Sequence, residues 1–483
     1  MKSLESELTK IIKGEVHSKK EYRDFYSVDA SSYQIIPKLI VIAKNEKDVI
    51  NTIKIANKFK TNVTVRGAGT GLVGSALNNG IILDMKNFDS IKIRKNYALV
   101  ETGVVKGKLD KKLEKSKKFF PPNPSVGSFC SIGGMLGNNS SGSRSLKYGS
   151  MIDNVLEITF IDGNGKKIIL PKDEKISKKI KRKIKIDQKK IPNVSKNSSG
   201  YRIDKIITTK DSHKIIVGSE GTLGIIVSAK LKIKNIPKRR ILFVVEYGSI
   251  KSAISDCISI NKTNPSAMEF VDKITLQQIN HNFQKDTKCL LFVEYDEKIN
   301  ENEKQFKARI SGKIVKKLTK KQDIFKWWKY RDSSLFYSLK SIKKESRIPH
   351  VIEDAAVPIE KLPVFFKILE KINKKFKTKS VIYGHIGNGN LHVRLIGKRN
   401  NLILVKNIAK QYFEEIIKMN GTITAEHGDG LARSEFIKKQ YGKINYQTFE
   451  AIKKIFDPND ILNPGKIISK KSTVIKNFEK LEI

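Results

Sequence analysis

Three of the seven histidines of this 483-residue chain lie in two glycine-rich pieces, Gly384–Arg394 (GHIGNGNLHVR) and Glu426–Gly430 (EHGDG). Asn-Gly is the favoured pair for a two-residue type I′ hairpin turn. A turn centred on Asn388-Gly389 predicts His385 opposite His392, with Cβ atoms about 4.5–5.5 Å apart. Two imidazoles at that separation can chelate one metal ion. Strand alternation then puts Arg394 on the face of His392. Glu426 would complete a site of two histidines and one carboxylate that keeps a position open for substrate. The plainer alternative is a hairpin whose histidines fill a polar surface. The in-register pair with Glu426-His427 beside it in sequence favours the metal. Arg331, in Trp327–Asp332 (WWKYRD), is either a helix-surface cation or a buried guanidinium gripping a carboxylate.

Two further glycine clusters point to a bound anion and a large flat ligand. Arg66–Leu77 reads RGAGTGLVGSAL and satisfies G-x-G-x-x-G through Gly69, Gly71 and Gly74. A dinucleotide fingerprint of the doubly wound kind needs a helix after the loop. Asn78-Asn79-Gly80 leaves no room for one before the strand Ile81–Met85, so the order is strand, glycine loop, strand. The backbone N–H groups of such a loop can still cradle a pyrophosphate. Pro121–Tyr148 (PPNPSVGSFCSIGGMLGNNSSGSRSLKY) is long, small-residue-rich and nearly uncharged in a very basic protein, which suits backbone lining a ligand rather than solvent filler. Gly218–Val227 (GSEGTLGIIV) ends in a buried strand.

The elements that must hold these pieces follow from periodicity. A charged helix is expected over the first twenty residues. Pro37–Ala43, Asn62–Arg66 and Ile81–Met85 read as strands, with a helix capped by Asn45 running to about Lys60. Short strands and helices alternate to about residue 235. Asp173–Lys196 is Lys-dense and reads as a solvated insertion or connection. Beyond a linker at Pro237, strands at Ile241–Tyr247 and Leu290–Tyr295 and helices near 250–262, 300–312 and 361–377 form a second α+β unit. The expected division is a helical segment 1–36, a cofactor domain 37–235, a substrate domain 236–430 with the metal site, and a returning segment 431–483.

Composition narrows the function classes. With 39% hydrophobic residues the chain can build cores, and disorder is excluded. Cys130, Cys257 and Cys289 form neither a disulfide framework nor a cluster motif, which suits a reducing cytoplasm. Nothing approaches the roughly 18–20 apolar residues of a membrane helix, and the N-terminus lacks the apolar core of a secretory signal. The formal net charge of +45 invites a nucleic-acid reading. Against it, the basic residues are nearly all lysines spread from end to end, without the arginine and aromatic stripe of a nucleic-acid groove. No specific nucleic-acid partner is expected. Attraction to acidic partners or to the inner face of a membrane is compatible with the charge.

In this order, RGAGTGL, PPNPS…IGG…YG, NSSGY and GSEGTLGI resemble the FAD-binding domain of the vanillyl-alcohol-oxidase superfamily. The branch they resemble is the FAD-linked D-2-hydroxy-acid dehydrogenases (D-lactate dehydrogenase, the FAD subunit of glycolate oxidase, D-2-hydroxyglutarate dehydrogenase), from about Pro37 to Lys466. The resemblance implies an α+β architecture: a two-part PCMH-type FAD-binding domain, an α+β cap and a C-terminal segment returning to the flavin. It implies non-covalent FAD, since the first loop has no histidine. The implied FAD contacts are Arg66, Gly67, Ala68, Gly69, Thr70, Gly71, Leu72, Pro124, Ser125, Gly133, Gly134, Asn138, Ser140, Gly142, Gly221, Thr222, Gly224, Ile226 and Asn463. A divalent metal, commonly zinc, would sit on His385, His392 and Glu426, with His427 as base and Arg331 as carboxylate anchor. The implied reaction takes a D-2-hydroxy acid, D-lactate first, or glycolate or D-2-hydroxyglutarate, to the 2-oxo acid by hydride transfer to flavin N5. Arg394, where the hydroxyglutarate branch has Asn, is an extra cation beside the metal that would bind a carboxylate or set a different chain-length preference. Ile352 stands where that branch has a lysine. Electrons would leave to a quinone, an electron-transfer protein or an iron–sulfur partner. A subunit role in a multi-subunit glycolate oxidase is the alternative, and a homodimer is compatible.

Overall fold

The computed structural model describes all residues except 1–2, 277–282, 335, 337–350, 398–401, 470–471, 475 and 479–483. Leu39–Ile42 (LIVI), Ile81–Asp84 (IILD) and Val63–Arg66 run parallel. The first two are buried along their whole length, as the middle of a parallel sheet requires. The helix Glu46–Lys58 covers them, its start capped by Asn45 Oδ1 accepting from the Asp48 N–H at 3.1 Å. Residues 67–80, between two parallel strands, contain no helix. The N-terminal helix is shorter than expected, Leu4–Ile11. Glu15–His17 instead pairs antiparallel with the edge of the sheet, where Val16 joins the apolar cluster under Leu39 and Val41.

A five-stranded antiparallel sheet follows, in the order Ile91–Ile93, Tyr97–Glu101, Ile225–Lys232, Val155–Ile161, Lys167–Leu170. The Lys-dense stretch is not a plain solvated connection. It contains the helix Glu174–Lys183, capped by Asp173. Ile176, Ile180 and Ile184 recur every four residues, so one stripe faces the core while the lysines face water.

The second unit is a six-stranded antiparallel sheet ordered Lys313–Leu318, Ile241–Tyr247, Cys289–Tyr295, Ala267–Asp272, Lys379–Gly384, His392–Ile396. Alternation assigns its two faces. Ile241, Phe243 and Val245 pack under the helices Ile250–Asn261, Leu362–Phe376 and Leu402–Lys418. Leu242 and Val244 pack against Trp327 and Trp328 of the helix Lys321–Asp332. The helix Ile437–Phe456 then crosses back to the first unit. Its Phe449 meets Tyr201 and its Phe456 meets Phe160. Among the described residues, no helix is long and apolar enough to cross a membrane.

Asp272 ties two of these strands together by accepting the Ile382 N–H at 2.6 Å. Burial pushes its carboxyl up to about 6. A carboxyl whose folded pKa exceeds the unfolded value of about 3.9 stabilises the fold below that value. The contribution is lost as pH rises through about 6. Asp272→Asn should therefore gain on the wild type by about 2–3 kcal/mol between pH 4 and pH 7. Denaturant unfolding at both pH values measures this, and equal gaps would contradict it.

Candidate functional site

The glycine loops come together because they can approach without Cβ atoms. A Cβ on Gly67 would lie 2.1 Å from Ser131 Oγ, so the first loop touches the start of the helix Ile132–Asn138 only as glycine. Between the loops is a cavity of about 310 Å³, within the range of small-molecule sites. Its wall includes Arg66, Gly67, Ala68, Gly69, Thr70, Gly71 and Leu72 from the first loop. It also includes Pro124, Ser125, Gly133, Gly134, Asn138, Ser140 and Gly142 from the second, and Gly221, Gly224 and Ile226 from the third. Arg66 is buried, stacks on Tyr26 and forms no ion pair among the described residues. A glycine-lined wall with one buried, unpaired cation fits a flavin nucleotide with its pyrophosphate.

Two expected FAD contacts lie outside this wall. Asn463 is spent on the protein: Nδ2 donates to the Ser75 and Glu220 carbonyls at 2.8 and 2.7 Å, and Oδ1 accepts from Thr64 Oγ1. Thr222 Oγ1 bonds the Ser219 carbonyl and Tyr201 Oη. Both side chains lock the loops to each other rather than face the cavity.

The same cavity is lined by Arg331, His385, His392, Arg394, Glu426 and His427. The two strands do pair antiparallel, but not through the expected two-residue turn. His392 pairs with Tyr383, and the strand before the turn ends at Gly384. Residues 386–388 form a 3₁₀ turn, closed by Gly389 at φ 65°. A Cβ on Gly389 would lie 1.9 Å from the Val357 carbonyl, and Val357 N–H donates to the Gly389 carbonyl at 3.0 Å. This distant segment folds the loop against itself, overriding the local Asn-Gly preference.

The imidazoles converge nonetheless. Their ring centroids are 5.2 Å apart. Nε2 of His385 and Nε2 of His392 lie 2.8 and 3.3 Å from one oxygen, Glu426 Oε1. Glu269 takes Nδ1 of His385 at 2.6 Å, the outer carboxylate that commonly orients a ligating histidine. Two imidazole nitrogens gathered at one carboxylate oxygen are a donor set that fits a divalent cation, zinc included. Asp354, His392, Glu426 and His427 also offer atoms within 4.8 Å of one another. Asp354 is a poor ligand, however. Its Oδ2 already accepts from Thr424 Oγ1 and from the N–H groups of Ala425, Glu426 and His427 at 2.7–3.0 Å. It shapes the loop that presents Glu426 and His427.

The two arginines differ. Arg331 Nε donates to Glu269 at 2.7 Å and Nη2 is 2.5 Å from the same carboxylate, so its charge is already matched. Arg394 is buried and its Nε reaches Tyr383 Oη at 3.5 Å, yet Nη1 and Nη2 have no hydrogen-bond partner among the described residues, and the Glu353 carboxylate stands 3.7 Å from Nη2. His427 Nδ1 is 2.6 Å from Glu353 Oε1. Burial would raise the Glu353 carboxyl, but His427 and Arg394 hold it well below the usual range. Burial likewise opposes, and Lys196 and His385 outweigh it, at Glu426.

Sequence reasoning missed Glu269, Glu353, Asp354 and Lys196. Three of these had a signal. AMEFVD and VIEDAAVP carry acids inside otherwise apolar runs, where a buried carboxylate needs a cation or donors. Lys196 had none, being one lysine in a Lys-rich stretch.

Residues 37–170 match the family model described as FAD binding domain, and residues 236–467 match FAD linked oxidases, C-terminal domain. The chain is 28% identical over 467 residues to glycolate oxidase subunit GlcD of Bacillus subtilis, covering 92% of each. It is 26% identical to the mitochondrial D-lactate dehydrogenase (cytochrome) of Arabidopsis thaliana, covering 97% of this chain and 80% of that one. It is 28% identical to D-2-hydroxyglutarate dehydrogenase of Haemophilus influenzae, of which it spans 49%. Among solved structures, alkyldihydroxyacetonephosphate synthase superposes with a TM-score of 0.68 at 19% identity, covering 93% of this chain and 83% of that one. The shared architecture is the α+β PCMH-type FAD-binding fold with a separate second domain.

Proposed function

This chain is built from the two domains of the FAD-linked oxidases, and on that premise we propose that it oxidises a D-2-hydroxy acid to the 2-oxo acid. D-lactate is the first substrate to test, then glycolate and D-2-hydroxyglutarate. The observation that carries the reading is Arg394. Its buried guanidinium, with two unpartnered nitrogens, lines the same cavity as the histidine–glutamate cluster and the glycine loops. A substrate carboxylate is the partner such a group needs.

The site's own residues then have separable roles. Arg394 binds the carboxylate. Arg331, neutralised by Glu269, acts through that carboxylate, which accepts from His385 Nδ1 at 2.6 Å. With Nδ1–H donating to Glu353, His427 keeps a lone pair on Nε2, the atom that takes the hydroxyl proton. Glu353 stabilises the imidazolium so formed. Zinc or another divalent ion, held by His385, His392 and Glu426, would supply a Lewis acid that lowers the pKa of the hydroxyl. FAD, held along the glycine loops, would supply the hydride acceptor. The final electron acceptor is a quinone, an electron-transfer protein or an iron–sulfur partner.

Metal removal tests the cluster. Dialysis against a chelator should leave FAD bound and cut turnover about 100-fold or more, with recovery on adding Zn²⁺. Turnover unaffected in metal-free protein would refute the metal role. The match to GlcD over 92% of both chains favours one second reading, a subunit of a larger glycolate oxidase. Full activity with glycolate in the isolated chain would argue against that.

A further inference from the structure

Lys196–Tyr201 (KNSSGY) is buried throughout, yet none of its residues lines the cavity. It grips the loop that carries Glu426. Asn197 Oδ1 accepts from Thr422 Oγ1 at 2.7 Å. Ser198 N–H donates to the Thr424 carbonyl at 3.1 Å and its Oγ to the Ala425 carbonyl at 2.9 Å. Ser199 Oγ and Gly200 N–H donate to the Asp429 carboxylate at 3.0 and 2.7 Å. Lys196 itself is 2% exposed. Its Nζ lies 2.9 Å from Glu426 Oε2 and 2.9 Å from Asn390 Oδ1. Ser141 Oγ donates to the same Oε2 at 2.5 Å.

Burying an ammonium costs several kcal/mol unless it is paired and hydrogen-bonded, so the location demands this carboxylate. We infer that Lys196 is a positioning residue for the metal site, occupying Glu426 Oε2 so that only Oε1 faces His385 and His392. It also ties that carboxylate to the part of the chain that carries the glycine loops. The ion pair thereby joins the hydrogen bonds of Asn197, Ser198, Ser199 and Gly200 in fixing the distance between the metal ligands and the cofactor wall. The inference rests on the metal reading of His385, His392 and Glu426.

The test uses full-length holoenzyme stripped of metal and titrated with Zn²⁺ against a competing chelator. Lys196→Met should bind Zn²⁺ tenfold or more weakly while keeping its FAD content. Ser198→Ala, which loosens the clamp without touching Glu426, should lower the melting temperature and leave Zn²⁺ affinity unchanged. Should Lys196→Met fail to fold, Ser141→Ala removes only the second bond to Oε2 and should still weaken Zn²⁺ severalfold. Wild-type Zn²⁺ affinity in a folded Lys196→Met, or in Ser141→Ala if that is the variant that folds, overturns the role of Lys196 alone. A wild-type protein that takes up no stoichiometric divalent metal overturns the metal reading beneath it.

Discussion

Replacing His427 with alanine should slow reduction of the flavin by substrate by about 10²–10⁴-fold, the usual worth of a positioned base. FAD and metal content should stay as in the wild type. The imidazole is 22% exposed at its side chain, and among the described residues its only hydrogen-bonded carboxylate is Glu353. Its removal leaves Glu353 with Arg433, 3.2 Å away, so the fold should tolerate the change. Rapid-mixing measurement of flavin bleaching under anaerobic conditions reads the step directly. A variant that bleaches at the wild-type rate would remove His427 from the chemistry. Glu353→Gln should give a smaller loss, because the ring keeps its place but the imidazolium loses its counter-charge.

Arg394→Met should lower kcat/KM by roughly 100-fold, from loss of about 3 kcal/mol of charge-assisted binding, mainly through KM. It should leave the melting temperature nearly unchanged, because Nη1 and Nη2 have no hydrogen-bond partner among the described residues and Glu353 keeps His427 and Arg433 as partners. Arg331→Met should behave in the opposite way. It strands Glu269, fully buried and bonded to that arginine, and breaking such a pair costs about 3–5 kcal/mol of stability. The pair of variants separates anchor from support. An Arg394→Met enzyme with wild-type KM, or one as unstable as Arg331→Met, would contradict the assignment. Arg394→Lys should recover only part of the loss, since an ammonium lacks the two-pronged fit to a carboxylate.

The glycine-lined wall of the cavity was legible because its chemistry is backbone chemistry. Gly67 and the loops beside it can approach each other only without side chains, so the requirement is written locally as glycine. The strand, loop, strand order around Arg66 was legible for the same reason: Asn78-Asn79-Gly80 leaves no length for a helix. The histidine–glutamate cluster was legible in identity but not in geometry. His385 and His392 do meet, yet through a seven-residue connection moulded by Val357, not through the tight turn that Asn388-Gly389 favours. Local turn preference yields where a distant segment supplies hydrogen bonds. The Lys-dense stretch was misread because charge counting hid the stripe Ile176, Ile180 and Ile184. The ion partners were least legible. Glu269, Glu353 and Lys196 come from three separate stretches of chain, and only the folded arrangement shows that Lys196 belongs to Glu426 and Glu353 to His427.

The most direct measurement is an anaerobic visible spectrum of the purified, FAD-replete protein before and after D-lactate, and then glycolate and D-2-hydroxyglutarate. The account predicts that the oxidised flavin absorption bleaches with at least one of these acids and that the matching 2-oxo acid appears in equal amount. A FAD-replete, metal-replete protein whose flavin none of the three reduces would contradict it.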